Sequence, residues 1–85
     1  MFTYKIIEKR CRIDSTNYTA YGIEVYKNSD KIKAVHDVFI EKILAEKTVE
    51  LFTREQPDML HFDMILESIL QDPEYMLGVN YGKNN

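Results

Sequence analysis

Residues 14–30 read DSTNYTAYGIEVYKNSD, and this stretch decides the fold. Asp14-Ser15-Thr16-Asn17 opens it as a turn, because all four side chains readily hydrogen-bond their own backbone. From Tyr18 to Lys27 the pattern alternates, with Tyr21, Ile23 and Val25 on one face, so this segment is a half-buried strand. Asn28-Ser29-Asp30 is a second turn. Turns this short join only antiparallel neighbours, so the strand lies between two partners in a meander.

Working outward, Phe2, Tyr4 and Ile6 alternate on the N-terminal side. The phase then shifts, and Ile7, Cys11 and Ile13 carry the apolar side. Such a shift predicts a bulge or a strong twist near Ile7. Residues 31–39 form the third strand. The face that helices should cover comprises Tyr21, Ile23, Val25, Ile32 and Ala34, with a matching set from the first strand.

Beyond the sheet the period changes. From Ile40 to Arg54 there is no Gly or Pro, and Ile40, Leu44, Ala45, Val49, Leu51 and Phe52 make a broad helical face. Pro57 disfavours helical geometry at Gln56 and interrupts the run. Asp58 is suited to cap the next helix. There Phe62, Ile65, Leu66, Ile69 and Leu70 recur at i, i+3, i+4, i+7 and i+8, until Asp72-Pro73 ends the pattern. The prediction is an α+β domain: a three-stranded antiparallel meander, then two helices packed on one face (βββαα), spanning residues 1–72. An arrangement in which the second helix serves a dimer partner is equally compatible with the pattern. Residues 73–85 are expected to be a tail, flexible or added as a strand to a sheet edge.

The quoted strand also belongs to a wider likeness. Tyr4-Lys5-Ile6, Tyr21-Gly22-Ile23-Glu24-Val25-Tyr26, Asp37-Val38, and Pro57 ahead of His61, Ile65, Leu66, Ile69 and Leu70 follow a known order. Residues 3–71 resemble a family of small uncharacterised proteins from Firmicutes, clostridia especially, known only as a domain of unknown function. The resemblance implies a bacterial cytosolic setting and carries over no catalytic residue. One departure stands out: Phe39-Ile40 replaces the Ser or Thr that caps the first helix in the family, which blurs where that helix begins.

Composition narrows the function. An 85-residue chain with 45% hydrophobic residues has the make-up of one packed domain and is too apolar for a disordered chain. Cys11 is the single cysteine, so a disulfide scaffold is excluded. The sequence from Met1 lacks the apolar run and cleavage site of a secretion signal, and no apolar run is long enough for a membrane helix; a cytoplasmic location is the expectation. The net charge of −3 divides unevenly. Residues 1–33 hold seven bases and four acids, whereas residues 34–85 hold four bases and ten acids.

Catalytic constellations are sparse. His36-Asp37 and His61-x-Asp63 contain metal-ligand types, but neither has the i, i+4 spacing that puts two ligands on one helix face. Both read better as satisfied polar groups, with no metal and no cofactor expected. Glu46 with Glu50 and Asp63 with Glu67 read as solvated helix faces rather than acid/base pairs. The three glycines form no phosphate loop, and the serines have no His/Asp partners in sequence.

Tyrosine is the enriched chemistry, with six residues and no Trp. Tyr favours strands in any sheet, yet Tyr18 and Tyr26 fall near Lys27, Lys31 and Lys33 around the second hairpin. Those five residues are the candidate interaction surface. Two functions follow as expectations: a non-enzymatic protein-interaction or regulatory module with a protein partner, or a single-stranded nucleic-acid binder using a basic, Tyr-bearing outer sheet face. A homodimer is compatible with either.

Overall fold

The computed structural model describes residues 1–74 of the chain. It shows the βββαα order: β1 (Phe2–Ile13), β2 (Thr16–Lys27), β3 (Asp30–Phe39), α1 (Lys42–Glu55) and α2 (Met59–Gln71). The strands form one antiparallel sheet in the order β1-β2-β3. Of the tail expected over residues 73–85, residues 75–85 lie outside the described residues.

Both hairpins turn on two residues. Asp14 and Ser15 have φ of 50° and 69°, and Asn28 and Ser29 have 54° and 73°. Two consecutive left-handed residues match the right-handed twist of the flanking strands, and short polar side chains tolerate that backbone best. The first turn is therefore shorter than the four residues expected. Thr16 and Asn17 already pair with Ile13 and Arg12.

No bulge interrupts β1. Its ladder with β2 runs unbroken from Phe2 opposite Lys27 to Ile13 opposite Thr16. The apolar phase shift has another cause. Tyr4 is buried and Phe2 and Ile6 half-buried against the core, while Ile7 and Cys11 are half-buried on the opposite face.

The irregularities fall on β3 instead. Val25 and Tyr26 are consecutive, yet they pair with Lys33 and Lys31, so Ile32 is squeezed out of the ladder. Ile32 is accordingly 44% exposed, not a helix-facing residue as expected. Since each extra residue inverts the faces that follow it, Lys33 joins the helix side, Ala34 pairs with Glu24 on the outer side, and Val35 takes the core position opposite Ile23.

A second, wider interruption sets His36, Asp37 and Val38 between the pairs Ile23–Val35 and Tyr21–Phe39. Asp37 has φ 57° there. Gly22 is what permits this approach. A Cβ on it would collide with the Val35 carbonyl oxygen and lie 3.0 Å from His36 Cα.

The helices cover one face with an aromatic centre. Phe52 of α1 and Phe62 of α2 stack at 4.5 Å between ring centroids, and Tyr4 lies 5.6 Å from Phe52 and 6.4 Å from Phe62. Ile23, Val25, Phe39, Leu44, Ala45, Leu66 and Ile69 complete the buried cluster. Burying each such side chain contributes about 1.5–3 kcal/mol, which outweighs any propensity term in so small a domain.

Helix α1 begins at Lys42, not Ile40. Glu41 occupies the cap without a side-chain hydrogen bond, and Ile40 is 74% exposed. At the other end Gln56 adopts a left-handed backbone (φ 49°) and its N–H donates to the Phe52 carbonyl at 2.8 Å. Pro57 then prevents continuation. Asp58 caps α2 as expected, accepting from the His61 N–H at 2.9 Å.

Candidate interaction surface

Helix α1 is fastened along β1 at two points. Lys42 pairs with Glu8 at 3.7 Å, and at the far end Gln56 reaches Phe2. The Gln56 amide accepts from the Phe2 N–H at 2.6 Å and donates to the Phe2 carbonyl at 3.0 Å, as a neighbouring strand would. The helix thus accompanies β1 from Glu8 back to Phe2. The described helices leave two surfaces uncovered: the outer sheet face, and the two-stranded arm of Lys9–Ile13 with Thr16–Ala20, beyond the last β2–β3 pair.

The structure divides the five sequence-predicted residues between faces. Tyr26, Lys31 and Tyr18 share the outer face, since they alternate in phase with Glu24. Tyr18 sits eight residues along β2 from Tyr26, about 26 Å away at strand rise. Lys33 lies on the helix face, where it pairs with Asp63 at 3.0 Å and stands 5.8 Å from the Phe62 ring centre. Lys27 shares that parity and approaches the Phe2 ring at 5.9 Å. The five therefore form no single patch, because the extra residue at Ile32 places Lys31 and Lys33 on opposite faces.

On the outer face the charges are matched locally. Glu24 accepts a 2.7 Å hydrogen bond from the Tyr26 hydroxyl and one of 3.3 Å from Lys31. The Tyr26 bond first, and Lys31 after it, hold the Glu24 carboxyl below its usual range. The same bond raises the Tyr26 hydroxyl. Lys5 lies 4.8 Å from the Tyr26 ring centre, and Lys9 pairs with Asp37 at 3.7 Å. The Tyr18 hydroxyl is raised by its bond with Cys11 first, with Asp37 adding to the effect.

Between these pairs lies a recess of about 250 Å³, bordered by Ile7, Lys9, Gly22, Glu24, His36 and Asp37. Sequence reasoning left His36 and Asp37 out of the surface. The signal for them was Gly22 itself, since glycine inside a strand marks a bulge or a close backbone approach. Among the described residues no three His, Cys, Asp or Glu side chains are grouped to hold a metal ion. His61 is hydrogen-bonded to Asp58 at 3.0 Å, while Asp63 is taken by Lys33.

No described helix is long and apolar enough to cross a membrane. Comparison with known protein families, with curated proteins and with solved structures finds no match.

Proposed function

We propose that this chain is a small non-enzymatic protein-interaction or regulatory module that docks a partner through the β surface its helices leave uncovered. The observation that carries the reading is the outer sheet face. It presents two half-buried tyrosines and a recess of mixed polar and apolar lining, and its prominent bases are paired with acids: Lys31 with Glu24 and Lys9 with Asp37. A nearly neutral surface mixing aromatic and polar groups suits a protein partner. Phosphate binding draws instead on unmatched positive charge, and the dispersal of Lys27 and Lys33 to the helix side weakens the nucleic-acid reading. A cytoplasmic setting and membership of the Firmicutes family that the strands resemble belong to the same proposal.

Affinity capture from a clostridial lysate, with and without nuclease, tests it. A stoichiometric protein retained after nuclease, and lost when Tyr26 and His36 are both changed to Ala, supports the module. Material that disappears with nuclease favours single-stranded nucleic acid and overturns it.

A further inference from the structure

Every described lysine, together with Arg54, is held by an acid, by an aromatic ring or by another contact. Arg10 and Arg12 are the exceptions: both are exposed, and neither has an acid or a ring beside it among the described residues. They are also neighbours. Arg10 pairs across the ladder with Thr19 and Arg12 with Asn17, so four donor-bearing side chains share one face of the arm. A recess of about 390 Å³ opens there, bordered by Arg10, Asn17, Tyr18 and Thr19. Arg10, an amide and hydroxyls border this space with no carboxylate in its lining, and Arg12 follows two residues along the same face, opposite Asn17; together they make a donor set for carboxylates.

The backbone beside them is equally available. Phe2 spends both its N–H and its C=O on Gln56, on the side of β1 away from β2. In an antiparallel ladder successive residues alternate which side their backbone groups face. With the β1–β2 register unbroken, Arg10 and Arg12 have the same phase as Phe2 and direct their backbone N–H and C=O groups to the open edge. Helix α1 and the Gln56 amide accompany that edge only as far as Glu8.

We propose that the arm binds an extended acidic segment of a partner protein as a fourth strand along the β1 edge at Arg10 and Arg12. Its alternate carboxylates pair with the two guanidinium groups. Residues two apart in a strand are about 6.7 Å apart, so one acidic side chain at every second position matches the arginines in step. The added backbone supplies both donors and acceptors, whereas a phosphodiester chain offers no donor to the two carbonyls. That favours an acidic peptide over nucleic acid. The proposal rests on the interaction-module reading and names its partner chemistry.

The test is fluorescence anisotropy of the full chain with a labelled peptide of about ten residues, alternating Thr and Glu. Comparison probes are its Thr/Gln counterpart, a version N-methylated at alternate residues, and a single-stranded oligonucleotide. The Thr/Glu peptide is expected to bind, with the Arg10 and Arg12 amides shifting in NMR spectra. Affinity should fall at least tenfold for the Thr/Gln and N-methylated peptides, and likewise for the R10Q/R12Q protein, whose circular dichroism stays native. Equal binding by the doubly substituted protein, indifference to N-methylation, or preference for the oligonucleotide each overturns the assignment. So does absence of binding, or a self-associated dimer that occupies the β1 edge in sedimentation experiments. A partner captured from lysate equally well by native and R10Q/R12Q protein removes the arm while leaving the module reading intact.

Discussion

Replacing Gly22 by Ala should damage the fold far more than a strand Gly→Ala change normally does. The added methyl would meet the Val35 carbonyl oxygen, His36 Cα at 3.0 Å and the Val35 carbonyl carbon at 3.1 Å. All three are backbone atoms of β3, so no side chain can swing aside. The strand itself must retreat, where the flanking pairs are Tyr21–Phe39 and Ile23–Val35. Overpacking of this kind costs about 1–3 kcal/mol, and one lost ladder hydrogen bond adds about 1. Against that, Ala restricts the unfolded chain and returns about 0.4–1 kcal/mol. The net expectation is a loss of about 2–3 kcal/mol. A chain of 85 residues has roughly 4–13 kcal/mol in all, so the melting temperature should fall by roughly 10–20 °C. Urea unfolding followed by circular dichroism reads the loss, and amide shifts at residues 35–38 should accompany it. A variant within about 0.5 kcal/mol of the native chain would refute the claim that Gly22 exists to admit the β3 backbone.

Three further outcomes follow from individual contacts. Tyr4 is buried and its hydroxyl has no partner among the described residues, with burial raising its pKa; Tyr4→Phe should leave stability unchanged or raise it by up to about 1 kcal/mol, and a loss above that in urea titration counts against an orphaned hydroxyl. Gln56→Gly keeps the left-handed backbone available but removes the amide that pairs with Phe2, so unfolding should be easier by about 1–2 kcal/mol and the Phe2 amide should exchange faster, as hydrogen exchange would reveal. The Asp58 carboxyl is held below its ordinary 3.8, first by the His61 backbone N–H and then by the His61 ring. Its contribution to stability is therefore complete above pH 3.8 and lost as pH falls through the lower folded value. Asp58→Ala should melt below the native chain at pH 6, with the gap closing under strong acid; a gap independent of pH contradicts the charge-based cap.

How much of this was legible beforehand depended on the kind of signal each segment carries. The strands and helices were readable because Tyr21, Ile23 and Val25 repeat with period two, while Phe62, Leu66 and Ile69 repeat with the helical period. Those periods reflect burial, and all but the half-buried Tyr21 lie in the core. The start of α1 was not readable, because Glu41 supplies no side-chain cap and the apolar Ile40 extends the pattern outward. β3 misled for a deeper reason. Its sequence alternates well enough to suggest one continuous face, yet two irregularities divide it, and neither leaves a periodic mark. The candidate surface inherited that error through Lys31 and Lys33, two residues apart in sequence and on opposite faces in space.

The same irregularities connect architecture to recognition. Because Ile32 leaves the ladder, Lys33 reaches Asp63 on α2 and Lys31 reaches Glu24 on the outer face. Because Gly22 admits His36 and Asp37, Lys9 also acquires an acid at 3.7 Å. Each departure from a regular strand consumes a lysine that sequence alone would have left available to a ligand. The remaining positive charge lies where the sheet narrows to two strands and β3 no longer reaches, at Arg10 and Arg12. Basic residues in the first half of the chain thus serve two purposes: those beside β3 hold the sheet and helices in register, while those on the arm face an open edge. If Asp37 were changed to Asn, Lys9 would be left as a free cation on the outer face of β1, opposite the face that carries the two arginines. An added strand with carboxylates at consecutive positions, and so on both faces, should then bind several-fold more tightly at low salt, and that gain should disappear as salt screens it. Unchanged affinity at low salt would mean that the outer-face side chains of the added strand do not reach Lys9.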